Sequence, residues 1–119
     1  MKLLIVDDSL IMRRAIERTL ISDRFAEIRL ASNGHLAVEE FKTYRPDVVT
    51  MDITMPDMDG LTAVDHILKI DSRAIILVVS ALADKPTAVE AVKRGASGFL
   101  LKPITVASLQ AAIDDVLAD

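Results

Sequence analysis

The sequence predicts an α/β domain in which five parallel strands alternate with five helices in three layers, a (βα)5 unit. Three observations carry that expectation: continuous apolar runs of strand length, helical stripes at three-to-four spacing between them, and almost no linker separating one pattern from the next. A chain of 119 residues is long enough for one core, so residues 1–119 are assigned to one domain. Hydrophobic residues make up 51% of it and aromatics only 3%, so the core must be aliphatic and densely packed.

Leu3-Leu4-Ile5-Val6 opens the pattern as a strand covered on both faces, because no polar residue interrupts the run. Asp7 and Asp8 end it, and Ser9 can cap a helix whose inner stripe is Met12, Ile16, Thr19 and Leu20. Ile28 and Leu30 then alternate with Glu27 and Arg29, the pattern of a strand at a sheet margin, and Asn33 can cap the helix that follows. Val48-Val49-Thr50-Met51 is continuous again and runs onto Asp52; Leu61, Val64 and Leu68 form the next helical stripe. Ile75-Ile76-Leu77-Val78-Val79 leads to Ser80 and to a helix from about Asp84 to Arg94, with Pro86 near its opening and Gly95 past its end. The apolar positions of that helix, Ala88, Val89, Ala91 and Val92, are small, so it should be the least firmly held of the five. The short run Phe99-Leu100-Leu101 suits a second margin strand, and Leu109, Ile113, Val116 and Leu117 mark the last helix. Three continuous runs in the centre and two margin strands, joined by right-handed crossovers, fit the flavodoxin-like order 2-1-3-4-5.

That order says where a ligand would bind. In open parallel sheets it is the crevice beyond the carboxyl ends of the strands, at the point where strand order reverses, here between the first and third strands. Asp7, Asp8 and Asp52 converge there, and their mutual repulsion calls for a cation. Hard oxygen ligands favour one divalent ion such as Mg²⁺, with the backbone carbonyl of Thr54 as a further ligand. Ser80 and Lys102, at the ends of the fourth and fifth strands, add a hydroxyl and an ammonium, both donors to oxyanions. Metal, ammonium, hydroxyl and an ionised carboxylate are what phosphoryl transfer asks of a protein: Asp52 attacks in line and becomes an aspartyl phosphate. No general base is needed, since a carboxylate with a pKa of about 4 is already ionised at neutral pH.

The ordered set Asp7-Asp8-Ser9, Met51-Asp52-Ile53-Thr54-Met55-Pro56 through Gly60, Ser80-Ala81 and Leu101-Lys102-Pro103 resembles the receiver domain of bacterial two-component response regulators over essentially the whole chain, and its layout is closest to the stand-alone chemotaxis-type regulators. The resemblance implies Asp52 as phosphoacceptor, Asp7, Asp8 and the Thr54 carbonyl as magnesium ligands, Lys102 as phosphate contact and Ser80 as switch hydroxyl. It further implies a phosphohistidine donor on a sensor histidine kinase or phosphotransfer protein, or a small acyl phosphate. A cis Lys102-Pro103 bond is expected. Phe99 is expected either to switch inward with Ser80 or simply to fill the core beside the fifth strand. A downstream protein effector is expected on the face made by the Asp84–Arg94 helix, the Phe99 strand and the last helix, including Lys85, Val92 and Phe99. Such a domain would be a phosphoacceptor that catalyses its own phosphorylation and dephosphorylation rather than an enzyme, monomeric or weakly dimeric on phosphorylation. Ser80 stands where threonine is commoner in the family, and Phe99 where the best-known chemotaxis regulators have tyrosine. Thr54 and Leu82 occupy positions that tune hydrolysis of the acyl phosphate, and Leu82 cannot position water, which implies a long-lived phosphoryl state.

Other residues have simpler readings. Asp59 reads as a turn residue, Asp57 as a loop acid near the rim, and Pro56 and Gly60 as loop-shaping residues. His35 and His66 are too isolated for a metal site, and Met51, Met55 and Met58 fill gaps in the core and rim. Arg13, Arg14, Glu17 and Arg18 read as a solvated face with kinase contact as the alternative. A net charge of −4 without a basic block gives little attraction to nucleic acid or anionic lipid. The absence of cysteine, of a signal peptide and of a long apolar span points to a cytoplasmic protein without membrane contact. A haloacid-dehalogenase-type phosphatase would want a second acid where Thr54 or Ser9 stands, and a flavin carrier would want a phosphate cradle where Asp7 and Asp8 would repel it. A pseudo-receiver that binds partners without phosphorylation would be expected to lack part of the set.

Overall fold

The computed structural model describes residues 1–55 and 58–118. The readings placed on Pro56 and Asp57 lie outside the described residues.

The elements alternate as the sequence pattern predicts: β1 (Lys2–Val6), α1 (Leu10–Leu20), β2 (Glu27–Ala31), α2 (Gly34–Tyr44), β3 (Val48–Asp52), α3 (Gly60–Ile70), β4 (Ile75–Ser80), α4 (Lys85–Lys93), β5 (Gly98–Leu101) and α5 (Val106–Leu117). A single 3-10 turn, Leu82–Asp84, precedes α4. All strand pairs are parallel and the order is β2-β1-β3-β4-β5, so β1, β3 and β4 are central and the two margin strands lie at the edges.

Alternation along each strand divides the core into two layers. Leu3 and Ile5 of β1, Val48 of β3 and Leu77 of β4 meet Ile16 and Leu20 of α1 and Leu109 and Ile113 of α5. Leu4, Val6, Val49, Met51, Ile76 and Val78 face the other way, against α2, α3 and α4. The continuous apolar runs exist because both faces are covered, and no residue of β3 is exposed. Phe25, in the connection before β2, also fills the first layer and is fully buried. Met51 and Met55 are buried and Met58 packs against the second layer, as gap-filling methionines do.

Helix starts are fixed locally. Ser9 accepts from the Met12 amide, Asn33 from Leu36, Asp59 from Thr62, and Thr105 from Ser108. Asp59 is therefore a cap, and Gly60 is the first residue of α3. A Cβ on Gly60 would lie 2.1 Å from the carbonyl oxygen of Asp52, so glycine lets α3 start against the end of β3. Gly95 has a φ of +125°, the left-handed backbone that stops α4. Among the described residues, no helix is long and apolar enough to cross a membrane.

Candidate functional site

Register brings the predicted acids together. β1 and β3 pair Val6 with Met51, so Asp7, one residue on, lies beside Asp52. Carboxylate oxygens of Asp7, Asp8 and Asp52 all lie within 4.8 Å of one another. Asp7 and Asp52 are only 1% and 4% exposed, whereas Asp8 is exposed at the rim. Lys102 follows β5, which pairs with β4 through Ser80 and Leu101, and its side chain reaches back across the sheet end. Its ammonium lies 3.6 Å from Asp7 Oδ2 and 3.5 Å from Asp52 Oδ1. The Lys102-Pro103 peptide is cis.

These distances set the electrostatics. Burial, reinforced by the charge of Asp7, pushes Asp52 up from 3.8 to about 6, and Lys102 offsets only part of that rise. Asp7 is raised for the same first reason, desolvation, against the lowering effect of the Ser9 amide, which donates to Asp7 Oδ1 at 2.9 Å. Asp7 Oδ2 is buried without a hydrogen-bond partner.

An unsatisfied buried carboxylate oxygen and two raised carboxylates, with three acids sharing one small space, are the environment a hard divalent cation relieves. Mg²⁺ binds oxygens at about 2.1 Å, so ligands on opposite sides of one ion stand about 4.2 Å apart. The observed spacing fits one such ion after little movement.

The other predicted residues fall as follows. Ser80 is 1% exposed and its hydroxyl donates to the Ala81 carbonyl at 3.0 Å. The Thr54 side chain is exposed and donates to Asp84 Oδ2 at 2.8 Å. Phe99 is 36% exposed and packs into neither core layer, so it does not fill the core beside β5; paired with Val78, it stands on the α4 side of the sheet with its ring open to solvent. Arg13 also departs from expectation. It is not part of a solvated face, because its guanidinium donates to the Asp7 carbonyl at 2.6 Å and ties the first turn of α1 to the end of β1. His35 and His66 are exposed on α2 and α3, apart from the acids. Sequence reading missed the Arg13 and Asp84 bonds, since each depends on where a long or bent side chain turns in space and has no signature in spacing.

A doubly wound α/β domain with a buried aspartate at the switch point, a second acid and a lysine beside it, and a hydroxyl on the neighbouring strand end defines the class of aspartate-phosphoacceptor switches. The model of the response regulator receiver domain matches residues 3–114, and the chain belongs to that family. It is thus a CheY-like phosphoacceptor signalling switch rather than a classical enzyme. It is 41% identical over 116 residues to the chemotaxis protein CheY of Bacillus subtilis, covering 98% of this chain and 97% of that protein. Identity to the chemotaxis protein CheY of Thermotoga maritima is 40% over 115 residues, 97% of this chain and 96% of that one. Among solved structures, the CheX-CheY-BeF3-Mg²⁺ complex from Borrelia burgdorferi superposes with a TM-score of 0.92 at 32% identity, covering 99% of this chain and 90% of that chain.

Proposed function

We propose that residues 1–119 act as one receiver unit in which Asp52 accepts a phosphoryl group from a phosphohistidine of a sensor histidine kinase or phosphotransfer protein. A small acyl phosphate would serve as a slower donor. The observation that carries this is the placing of Lys102 at 3.5 Å from Asp52 and 3.6 Å from Asp7 at the switch point of the sheet. A carboxylate oxygen of Asp52 forms the new P–O bond while the P–N bond of the donor breaks and the leaving imidazole is protonated. Lys102 then donates to an oxygen of the transferred group, and the Ser80 hydroxyl leaves the Ala81 carbonyl to do the same. Asp7, Asp8, Asp52 and the Thr54 carbonyl are assigned to hold Mg²⁺, which when bound supplies charge neutralisation on the phosphoryl oxygens. The same side chains would assist attack by water on the acyl phosphate, so the domain takes part in both its own phosphorylation and dephosphorylation.

Movement of Ser80 opens room beside β4, and Phe99, exposed on β5, turns into it. The α4-β5-α5 face, with Lys85, Val92 and Phe99, changes shape and takes a downstream protein effector, as a monomer or a weak phosphorylation-dependent dimer. The Borrelia relative, recorded with CheX, BeF3 and Mg²⁺, supports a partner, a phosphoryl mimic and a cation for a protein of this kind. We assign the domain to the cytoplasm, without nucleic acid or membrane contact of its own. No specific observation favours the pseudo-receiver or phosphatase readings.

The test is incubation with an acyl-phosphate donor and Mg²⁺ followed by intact mass. Wild type gains one phosphoryl group and Asp52→Asn gains none; equal labelling, or none in wild type, refutes the assignment. Backbone chemical shifts of the α4-β5-α5 face that stay unchanged when a phosphoryl mimic is added would remove the output surface.

A further inference from the structure

Four of the five helices begin with a side chain that caps its own helix. Asp84 holds the same position before α4 and is among the best residue types for it, yet it makes no capping bond. Its carboxylate accepts instead from the Thr54 hydroxyl at 2.8 Å, across thirty residues of chain. A helix that buries only Ala88 and Ala91 thus starts from a 3-10 turn with no side-chain cap, while the Asp84 carboxylate is turned toward the loop after Asp52. Asp84 closes the 3-10 turn with φ −99° and ψ 12°, not the extended backbone of the four capping residues, so its carboxylate is directed away from its own helix and is available to the distant hydroxyl.

The loop it reaches is otherwise fixed on either side of Thr54. The Ile53 amide donates to Val79 at 3.2 Å, the Ile53 carbonyl accepts from Gly60 at 2.8 Å, and Ile53 and Met55 are buried. Thr54 lies exposed between them, and Asp84 ties its side chain down.

We propose that Asp84 is a positioning residue of the phosphoacceptor site: by holding the Thr54 hydroxyl it sets the main chain after Asp52 for the cation and links that setting to the start of α4. This rests on the assignment of the Thr54 carbonyl as a cation ligand. Whatever displaces the start of α4 then changes cation affinity, and binding of the cation favours one position of α4 by the same factor.

The experiment is titration of the unphosphorylated 119-residue protein with Mg²⁺, followed by backbone chemical shifts around Asp8 and Asp52, with thermal melting to establish that each variant is folded. Thr54→Val and Asp84→Ala each weaken Mg²⁺ binding about fivefold, the loss expected for one solvent-exposed hydrogen bond. The double variant is no weaker than either single one, because both remove the same bond. Thr54→Ser recovers most of the affinity lost in Thr54→Val, and Asp84→Asn, which keeps an acceptor oxygen, stays within about twofold of wild type. Equal losses in Asp84→Asn and Asp84→Ala would reduce the effect to bare charge, and additive losses would make the two residues independent; either overturns the proposal. Faster amide exchange in α4 with unchanged Mg²⁺ affinity makes Asp84 purely structural and also overturns it. Failure of the underlying site looks different: wild type itself then shows no Mg²⁺-dependent shifts at Asp8 and Asp52.

Discussion

Neutralising Asp52 should stabilise the protein while abolishing its chemistry. The carboxylate is 4% exposed, and desolvation together with Asp7 lifts it from 3.8 to about 6 despite Lys102. A rise of that size corresponds to roughly 3 kcal/mol against the ionised form. Solvent reaches the rim beside exposed Asp8, so roughly 1–2 kcal/mol is the effect to expect. Because the folded value lies above the unfolded one, the folded state binds this proton more tightly. The group therefore favours folding fully below about pH 4, and that contribution is lost as pH rises through about 6. At neutral pH without metal, Asp52→Asn should gain roughly 1–2 kcal/mol, which for a domain of this size is about 3–8 °C in Tm. The assay is thermal and urea unfolding of both proteins with a chelator present, repeated at about pH 4 and again with Mg²⁺. The gain should shrink at about pH 4, where wild type is itself protonated, and shrink with Mg²⁺, which relieves the same repulsion. A neutral or destabilising substitution at neutral pH, or a gain that ignores pH and cation, refutes the reasoning.

Three further outcomes are expected. Lys102→Met removes the ammonium shared by Asp7 and Asp52 and should slow phosphoryl uptake from an acyl phosphate by tenfold or more, the weight of one charge-assisted hydrogen bond; initial rates from intact mass check it, and an unchanged rate contradicts the role. Gly60→Ala puts a Cβ 2.1 Å from the Asp52 carbonyl oxygen and 2.7 Å from Ile53 Cα, both backbone atoms, so about 3 kcal/mol or more should be lost. Equilibrium urea unfolding measures that loss, and a change below about 1 kcal/mol would mean the contact relaxes freely. Leu82 is 69% exposed and offers no polar atom, so Leu82→Asn should shorten the life of the phosphorylated protein by supplying a group that can hold water; slower decay in the variant than in wild type overturns this.

Much of this was legible before any coordinates. Apolar runs uninterrupted by polar residues specified β1, β3 and β4 as central, because only a strand covered on both faces tolerates such a run. Once strand order followed, the meeting of Asp7, Asp8 and Asp52 was a matter of topology, and so was the reach of Lys102 from the far edge. What stayed hidden depends on side-chain direction. Arg13 belongs by spacing to the outer face of α1, yet it folds back onto the Asp7 carbonyl. Asp84 has the letter and the place of a cap and serves another loop. Phe99 on a margin strand could have turned either way, and no period distinguishes inward from outward in a run as short as Phe99-Leu100-Leu101. Burial of Phe25 outside any regular element carried no periodic signal at all.

The energetics of α4 follow from these particulars. Where α5 buries Leu109 and Ile113, α4 buries Ala88 and Ala91, about three carbons less at each position and so roughly 5 kcal/mol less burial. What compensates is polar and sits at the two ends: Asp84 to Thr54 at 2.8 Å, and Arg94 to Asp65 at 2.7 Å. Both are solvent-exposed ties, and an exposed pair contributes about 1 kcal/mol or less. Displacing α4 therefore costs only a few kcal/mol. A hydrogen bond from Ser80 to a phosphoryl group supplies about 1.5–3 kcal/mol. The two quantities are of the same size, so one phosphorylation can change the population of α4 positions substantially. A helix anchored as α5 is would not respond; on the proposed switch role of Ser80, the small residues of α4 are a functional feature and not a defect in packing.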